Sequence, residues 1–197
     1  MKLSERSTLI IPVEVSIEPS LALGRIAFVA KTEHHYTVLG YAIGKHLKKA
    51  MVTDSALAEG LAALIARFDF SFQVGSSCFH VVQRAAETLQ TVVVSIEAPV
   101  ARFFQEAIVL VDPGKGEAHA ALHGALEEPP PAHITFYTTD PKGKAGIGLN
   151  RERDLDEAMV RAATHPQVEG LLAYRLAPGI LQVASAKLVD EIDPPAG

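Results

Sequence analysis

The sequence predicts an α+β domain, and three observations carry that prediction. From Ser55 to Phe68 the residues Ala56, Leu57, Gly60, Leu61, Leu64, Ile65 and Phe68 recur at helical spacing. From Gln90 to Glu97 the β-branched residues Val92, Val93, Val94 and Ile96 crowd a strand-length segment. Segments of the two kinds are interspersed without the regular β-α-β alternation that builds a doubly wound parallel sheet. At 197 residues the chain fits one large domain or two closely packed lobes, and residues 1–192 are read as a single unit.

Taken in order, Thr8 to Ile17 is rich in β-branched residues and alternates near its end, which predicts a strand. Arg25 to Lys31 and Tyr36 to Leu39 predict two more. A short helix is expected from Ala42 to Ala50, and a longer one from Ser55, with Asp54 in place to cap it. Phe70, Phe72 and Val74 alternate with polar residues. Gly75-Ser76-Ser77 then reads as a turn, with Cys78 to Gln83 returning as the partner strand. After the Gln90–Glu97 strand, Pro99 opens a helix to about Val109 with Val100, Phe103, Phe104 and Ala107 on one face. Asp112 to Gly116 reads as a turn, and Glu117 to Leu126 as a helix. Pro129-Pro130-Pro131 stops that helix and feeds an extended segment from Ala132 to Thr138. A Gly/Lys loop over Thr139–Arg153 leads to an amphipathic helix, Asp154 to Thr164. Extended segments follow at Gly170–Leu176 and Ile180–Val189, and the Pro-rich tail Asp193–Gly197 is expected to fray.

Composition excludes several classes of function. The formal net charge of -5 argues against a protein that wraps duplex DNA or coats an anionic membrane, because both need a dominant basic face. No apolar run approaches the ~18 residues of a spanning helix. The apolar stretch Thr8–Val13 is too short for a secretory signal, so a soluble, cytoplasmic protein is expected. Cys78 is the single cysteine, which rules out an intramolecular disulfide. Its setting, between Ser76-Ser77 and Phe79, reads as a small buried hydrophobe rather than a nucleophile.

Chemistry concentrates in two short words. Of eight histidines, His35 and His133 are followed two residues later by Thr37 and Thr135, and both His-x-Thr words fall on predicted strands. Strand side chains alternate, so each word presents an imidazole and a hydroxyl roughly 7 Å apart on one face. By the same alternation Tyr137 shares the face of His133 and Thr135. His34 and His35 cannot both enter one site, and the threonine spacing selects His35. Two such strands side by side make a four-cornered polar pocket suited to a phosphodiester. One imidazole takes a proton, the other gives one, and the hydroxyls hold the non-bridging oxygens. This chemistry requires no metal or cofactor.

Paired His-x-Thr words on strands in the two halves of a chain of this length resemble the two-histidine (2H) phosphoesterase superfamily. That group includes 2'-5' RNA ligase-like proteins and cyclic nucleotide phosphodiesterases. The flanks HHYTVLG and AHITFYTTDPKGKAGIGLN, with a Gly-rich GIGL loop after the second word, are similar to the branch nicknamed Swiss Army Knife, associated with RNA repair or processing. The resemblance implies a bilobal, pseudo-twofold arrangement of two antiparallel sheets with flanking helices and a pocket between lobes. It implies hydrolysis of a 2',3'-cyclic phosphate or related linkage on an RNA end or small nucleotide. In those roles His35 and His133 are the acid/base pair and Thr37 and Thr135 the phosphate holders.

Other residues compete less well for a role. Lys144, in the Gly/Lys loop, is a candidate substrate contact along with Tyr137, and Lys142 is a weaker one. The loop glycines do not form a Walker motif. His119 and His123 have the i, i+4 spacing that can chelate zinc. With no third ligand nearby they read as an exposed helical pair. Lys45, Lys48 and Lys49 read as a solvated helix face or a small basic lip near the first word. The same residues also fit a module that binds a nucleotide or nucleic-acid end without turnover, or a structural protein in which the histidines never converge.

Overall fold

A computed structural model describes residues 3–5, 7–84, 88–149, 155, 170–177, 180–181 and 185–188. The first half contributes β1 (Leu9–Ser16), β2 (Ser20–Leu23), β3 (Ile26–Ala30), β4 (His34–Leu39), α1 (Tyr41–Thr53) and α2 (Ser55–Arg67). β5 (Gln73–Arg84), β6 (Leu89–Glu97), α3 (Val100–Ile108), a 3-10 turn (Pro113–Lys115), α4 (Glu117–Leu126), β7 (His133–Thr138), β8 (Gly170–Arg175) and β9 (Ser185–Leu188) follow. The fold is therefore α+β: a large antiparallel sheet with four helices among the described residues. No helix among those residues is long and apolar enough to cross a membrane. The helix read from Asp154 to Thr164 and the tail Asp193–Gly197 lie outside the described residues.

Every described strand is hydrogen-bonded into one sheet of nine strands, where the sequence reading expected two separate sheets. The strand order is β8-β5-β6-β7-β4-β1-β9, with the β2–β3 hairpin attached through β3. β7 joins the two halves. One of its edges carries β6 from Thr91↔Thr138 to Ser95↔His133. The other edge is shared, with β4 pairing at Tyr36↔Ile134 and β3 at Val29↔Thr138 and Ala30↔Tyr137.

Alternation decides which face each strand buries. In β1, Leu9, Ile11 and Val13 are buried while Ile10, Pro12 and Glu14 are exposed. On the buried side Tyr36 and Val38 of β4 and Ile134 of β7 join one cluster with Leu47, Leu57, Leu61, Leu64, Phe103 and Phe104 from the helices. Each such side chain removed from water contributes about 1.5–3 kcal/mol to folding. The opposite face carries a smaller cluster: Phe79, Val81, Val93, Ala173, Ile147 and Leu149.

Two local expectations are corrected by packing. Gly75-Ser76-Ser77 is not a turn, because β5 runs through it with an irregularity between Val74 and Cys78. A Cβ at Gly75 would lie 2.7 Å from Ser95 Oγ and 2.8 Å from Ser95 O, so the glycine serves close approach to β6. Phe70, expected in a strand, instead packs its ring against Phe68 and Phe103. It also gives its carbonyl to the Tyr36 hydroxyl.

His119 is a third correction, since it is buried (2% exposed) and not on a solvated face. Its Nε2 donates to Asp54 Oδ2 (3.2 Å), which also accepts from Lys115 Nζ (2.6 Å), while Asp54 Oδ1 caps α2 through Leu57 N (3.1 Å). One carboxylate thus pins α4 to the α1–α2 junction. The Lys115 hydrogen bond first, then that from Leu57 N, lowers the Asp54 carboxyl from 3.8 to about 2. Because the folded value is the lower one, this stabilisation is full above the unfolded value near 3.8 and disappears as pH falls toward 2. Thermal melts between those limits are expected to drop steeply for the native chain. An Asp54→Asn variant should melt lower than the native chain at neutral pH and show a flatter acid dependence. Equal acid slopes for the two proteins would remove Asp54 from this role.

Candidate active site

The antiparallel pairing Tyr36↔Ile134 determines the site. Those two side chains point together into the core, so their neighbours point the other way. Stepping in opposite directions along the two strands sets His35 across from Thr135 and Thr37 across from His133. In a regular antiparallel ladder cross-strand partners stand about 4.5–5.5 Å apart at Cβ and diagonal positions, the relation of His35 to His133, about 7–8 Å. That is room for one tetrahedral anion between them. All four side chains line a cavity of about 1030 Å³.

The cavity is built from four walls. β1 adds Ile10, which pairs with Thr37, and Thr8 beyond it. The N-terminus of α1 adds Gly40 through Ile43, and the chain after α4 adds Glu128 and Pro130. The fourth wall is made of Lys31, Glu33, Lys144 and the GIGL segment Gly146–Leu149. Alternation explains the last of these: Ile147 and Leu149 are buried against Phe79, Val81 and Val93. Gly146 and Gly148 remain along the cavity.

α1 begins at Gly40 with no side-chain cap and no acidic residue in its first turn. The first intrahelical bond is Gly44 N to Gly40 O (2.9 Å). The N–H groups of Tyr41, Ala42 and Ile43 therefore belong to the unpaired set at a helix start, where the macrodipole favours an anion.

The Gly/Lys loop is held by Asp140. Its carboxylate accepts from Lys142 N (3.1 Å), Lys144 N (2.9 Å) and Ala145 N (2.7 Å), which holds the carboxyl below its ordinary value. Gly143 takes φ 65°, and its carbonyl accepts from Thr32 N (3.0 Å). Lys31 Nζ donates to the Lys144 carbonyl and ties the loop to the end of β3.

The two imidazoles differ in their surroundings. His133 is 9% exposed, and its Nδ1 donates to the Pro131 carbonyl (2.7 Å), which makes Nε2 the nitrogen carrying the lone pair. His35 is half-buried. Burial first, then the Lys31 ammonium, holds its pKa below the usual 6.5, opposed by Glu33. No side-chain hydrogen bond of His35 is formed among the described residues.

Of the six residues singled out from sequence, His35, Thr37, His133, Thr135 and Lys144 line the one cavity. Tyr137 does not. A β-bulge between Val92 and Val93 leaves Phe136 as the extra residue, so Thr135 pairs with Val93 but Tyr137 with Val92. The alternation is reset there, Tyr137 is buried with Val92 in the main core, and its hydroxyl donates to Glu18 O (3.0 Å). Lys142 is exposed away from the cavity, and Lys48 and Lys49 are solvated. His34 faces Phe136 on the far side of the sheet, edge to face with ring centroids 5.8 Å apart. Among the described residues no cluster of three or more His, Cys, Asp or Glu is arranged to hold a metal ion. Cys78 is half-buried, and burial pushes its thiol up to about 12.

Lys31, Glu33, Tyr41 and Glu128 are the cavity residues that sequence reasoning missed. Lys31 is separated from His35 by a turn, which breaks the strand arithmetic. Tyr41 did leave a signal, an aromatic residue beside a glycine at a helix start. No family model matches this chain, and no curated protein or solved structure matches it.

Proposed function

We propose that the chain is a phosphodiesterase that hydrolyses a 2',3'-cyclic phosphate, or a related phosphodiester, on an RNA end or small nucleotide. One observation carries this reading: two His-x-Thr pairs from distant parts of the chain line a single cavity, with each histidine across from the other pair's threonine. Water attacks phosphorus as one imidazole takes its proton. The bond from phosphorus to a ribose oxygen breaks, and the second imidazole gives that oxygen a proton. The hydroxyls of Thr37 and Thr135 and the N–H groups opening α1 hold the non-bridging oxygens. The resemblance to 2H phosphoesterases gives the same roles to the same four residues. On that reading the β4–β7 seam is where two pseudo-twofold lobes meet.

A nucleotide suits the cavity better than a sugar or lipid phosphodiester. Of the chain's twelve Phe and Tyr residues, only Tyr41 is exposed (58%), and it sits on the cavity's lip beside the exposed Ile10. Lys45 Nζ lies over its ring at 4.5 Å. An exposed aromatic ring at a phosphate site is a platform for a base.

The test is turnover of 2',3'-cyclic nucleotides, 2'-5'-linked dinucleotides and base-free glycerol 1,2-cyclic phosphate, each with EDTA present. Hydrolysis of a nucleotide substrate, unaffected by the chelator and faster than that of the base-free compound, is expected. Tight binding of nucleotides recovered unchanged would favour a binding module instead.

A further inference from the structure

We propose that the cavity takes the end of an oligonucleotide rather than a mononucleotide: beyond the reacting phosphate, the internucleotide phosphate on its 5' side sits at Lys144 and the glycine backbone that follows. The inference rests on the phosphodiesterase reading and adds to it a second phosphate subsite.

The length of the cavity carries the argument. β4 runs along it, with His35 and Thr37 inside the strand. The chain enters β4 from Lys31 and Glu33 and leaves it through Gly40 into α1, and those three residues line the cavity together with Tyr41. The lining therefore reaches past both ends of a six-residue strand, roughly 20 Å at about 3.4 Å per residue. Lys144 and Gly146 belong to the Lys31 end. Lys31 Nζ donates to the Lys144 carbonyl, and a Cβ built on Gly146 would lie 3.8 Å from that nitrogen. Tyr41 belongs to the other end. The volume of about 1030 Å³ reaches the top of the range, roughly 300–1,000 Å³, that encloses one small ligand.

The Lys144 end suits a phosphate better than a base. Ile147 and Leu149 are turned into the apolar cluster of that face, and residues 146 and 148 have no side chains, so this wall presents backbone to the cavity. Lys144 is exposed on the same wall, and its ammonium forms no ion pair among the described residues. Its backbone is fixed at both groups, since N donates to Asp140 Oδ2 (2.9 Å) and the carbonyl accepts from Lys31. Glu33 lines this end too, with the opposite charge of Lys31 two residues away, and the Asp140 carboxylate is engaged by three backbone N–H groups. That leaves the Lys144 ammonium for an incoming anion. The connectivity of RNA fits the two ends. At a 2',3'-cyclic terminus the base leaves the ribose at C1' and the 5' chain at C4', on either side of the ring oxygen. With the cyclic phosphate among the histidines and threonines and the base on Tyr41, the 5' phosphate is directed to the Lys144 end. Stacking at one point and a cation along the backbone is the usual way a single strand is held. A mononucleotide leaves the Lys144 end unused.

The test compares two substrates on the full chain: a nucleoside 2',3'-cyclic phosphate, and the dinucleotide that carries the same nucleoside at its cyclic end. The dinucleotide is expected to have a kcat/KM about tenfold higher, the size of one charge-assisted contact, mainly through a lower KM. Replacing its internucleotide phosphate by an uncharged methylphosphonate should remove that advantage. Lys144→Gln should bring the dinucleotide down to the level of the mononucleotide, and in that variant the methylphosphonate should cost nothing further. Tyr41→Ala should lower both substrates alike. Equal kcat/KM for the two substrates in the native chain, or an unchanged ratio between them in Lys144→Gln, overturns the proposal. If the native chain hydrolyses neither compound, the phosphodiesterase reading fails instead. Calorimetric affinities of the same two compounds then decide the subsite, and equal affinities overturn it.

Discussion

Replacing both His35 and His133 with alanine is expected to abolish turnover while the chain still folds. A general acid or base contributes roughly 10²–10⁴-fold each, and because the two act in one step their losses should not simply multiply. The structural cost is unequal. His35 makes no side-chain hydrogen bond among the described residues, so His35→Ala should melt close to the native chain. His133→Ala gives up the bond to Pro131 O, about 1 kcal/mol, or roughly 2–4 °C in a domain of this size. Rate against pH should be bell-shaped. With His35 as the base, the acid limb falls below pH 6.5, because burial and Lys31 hold it under that value. The alkaline limb reports loss of the proton from the acid. Retention of native activity in the double variant, measured with circular dichroism to confirm folding, would end the two-histidine reading.

The second large effect is expected far from either histidine. Gly143→Val should uncouple the loop from the cavity. At φ 65° a non-glycine residue costs roughly 1–2 kcal/mol, more when β-branched. A Cβ there would also sit 2.7 Å from the Ala30 carbonyl oxygen and 3.2 Å from Thr32 Cγ2. The nearer of these atoms is backbone, which gives way less readily than the end of a flexible side chain. The loop must lift, and with it go the Lys144 carbonyl that holds Lys31 and the GIGL wall. We expect at least a tenfold loss in kcat/KM, with a melting temperature only a few degrees lower, because the main core lies on the other side of the sheet. Gly124→Ala is the matched control. Gly124 also lines the cavity, but it has ordinary helical backbone and open space around an added Cβ. Equal activity of Gly143→Val and the control would show that loop seating does not matter.

Much of the fold was legible from local pattern. The cap at Asp54, the helical repeat of α2, the β-branched run of β6 and the proline stop before β7 each follow from steric and hydrogen-bonding rules that span only a few residues. Where the reading erred, a partner distant along the chain had intervened. Gly75-Ser76-Ser77 has the composition of a turn, but Ser95 of β6 accepts it as strand. His119 has the look of a surface residue, but Asp54, 65 positions away, buries it.

By itself the sequence determined that each His-x-Thr word presents its imidazole and hydroxyl on one face, since a strand's alternation is a property of the backbone alone. Only the tertiary structure decided that the two faces coincide. The register Tyr36↔Ile134 is set by packing across the sheet, and a slip of one residue would have turned one pair into the core. The same register physics removed Tyr137 from the cavity, through one extra residue at Phe136. It also brought in Lys31 and Tyr41, whose positions follow from a turn and a helix start that no periodicity encodes.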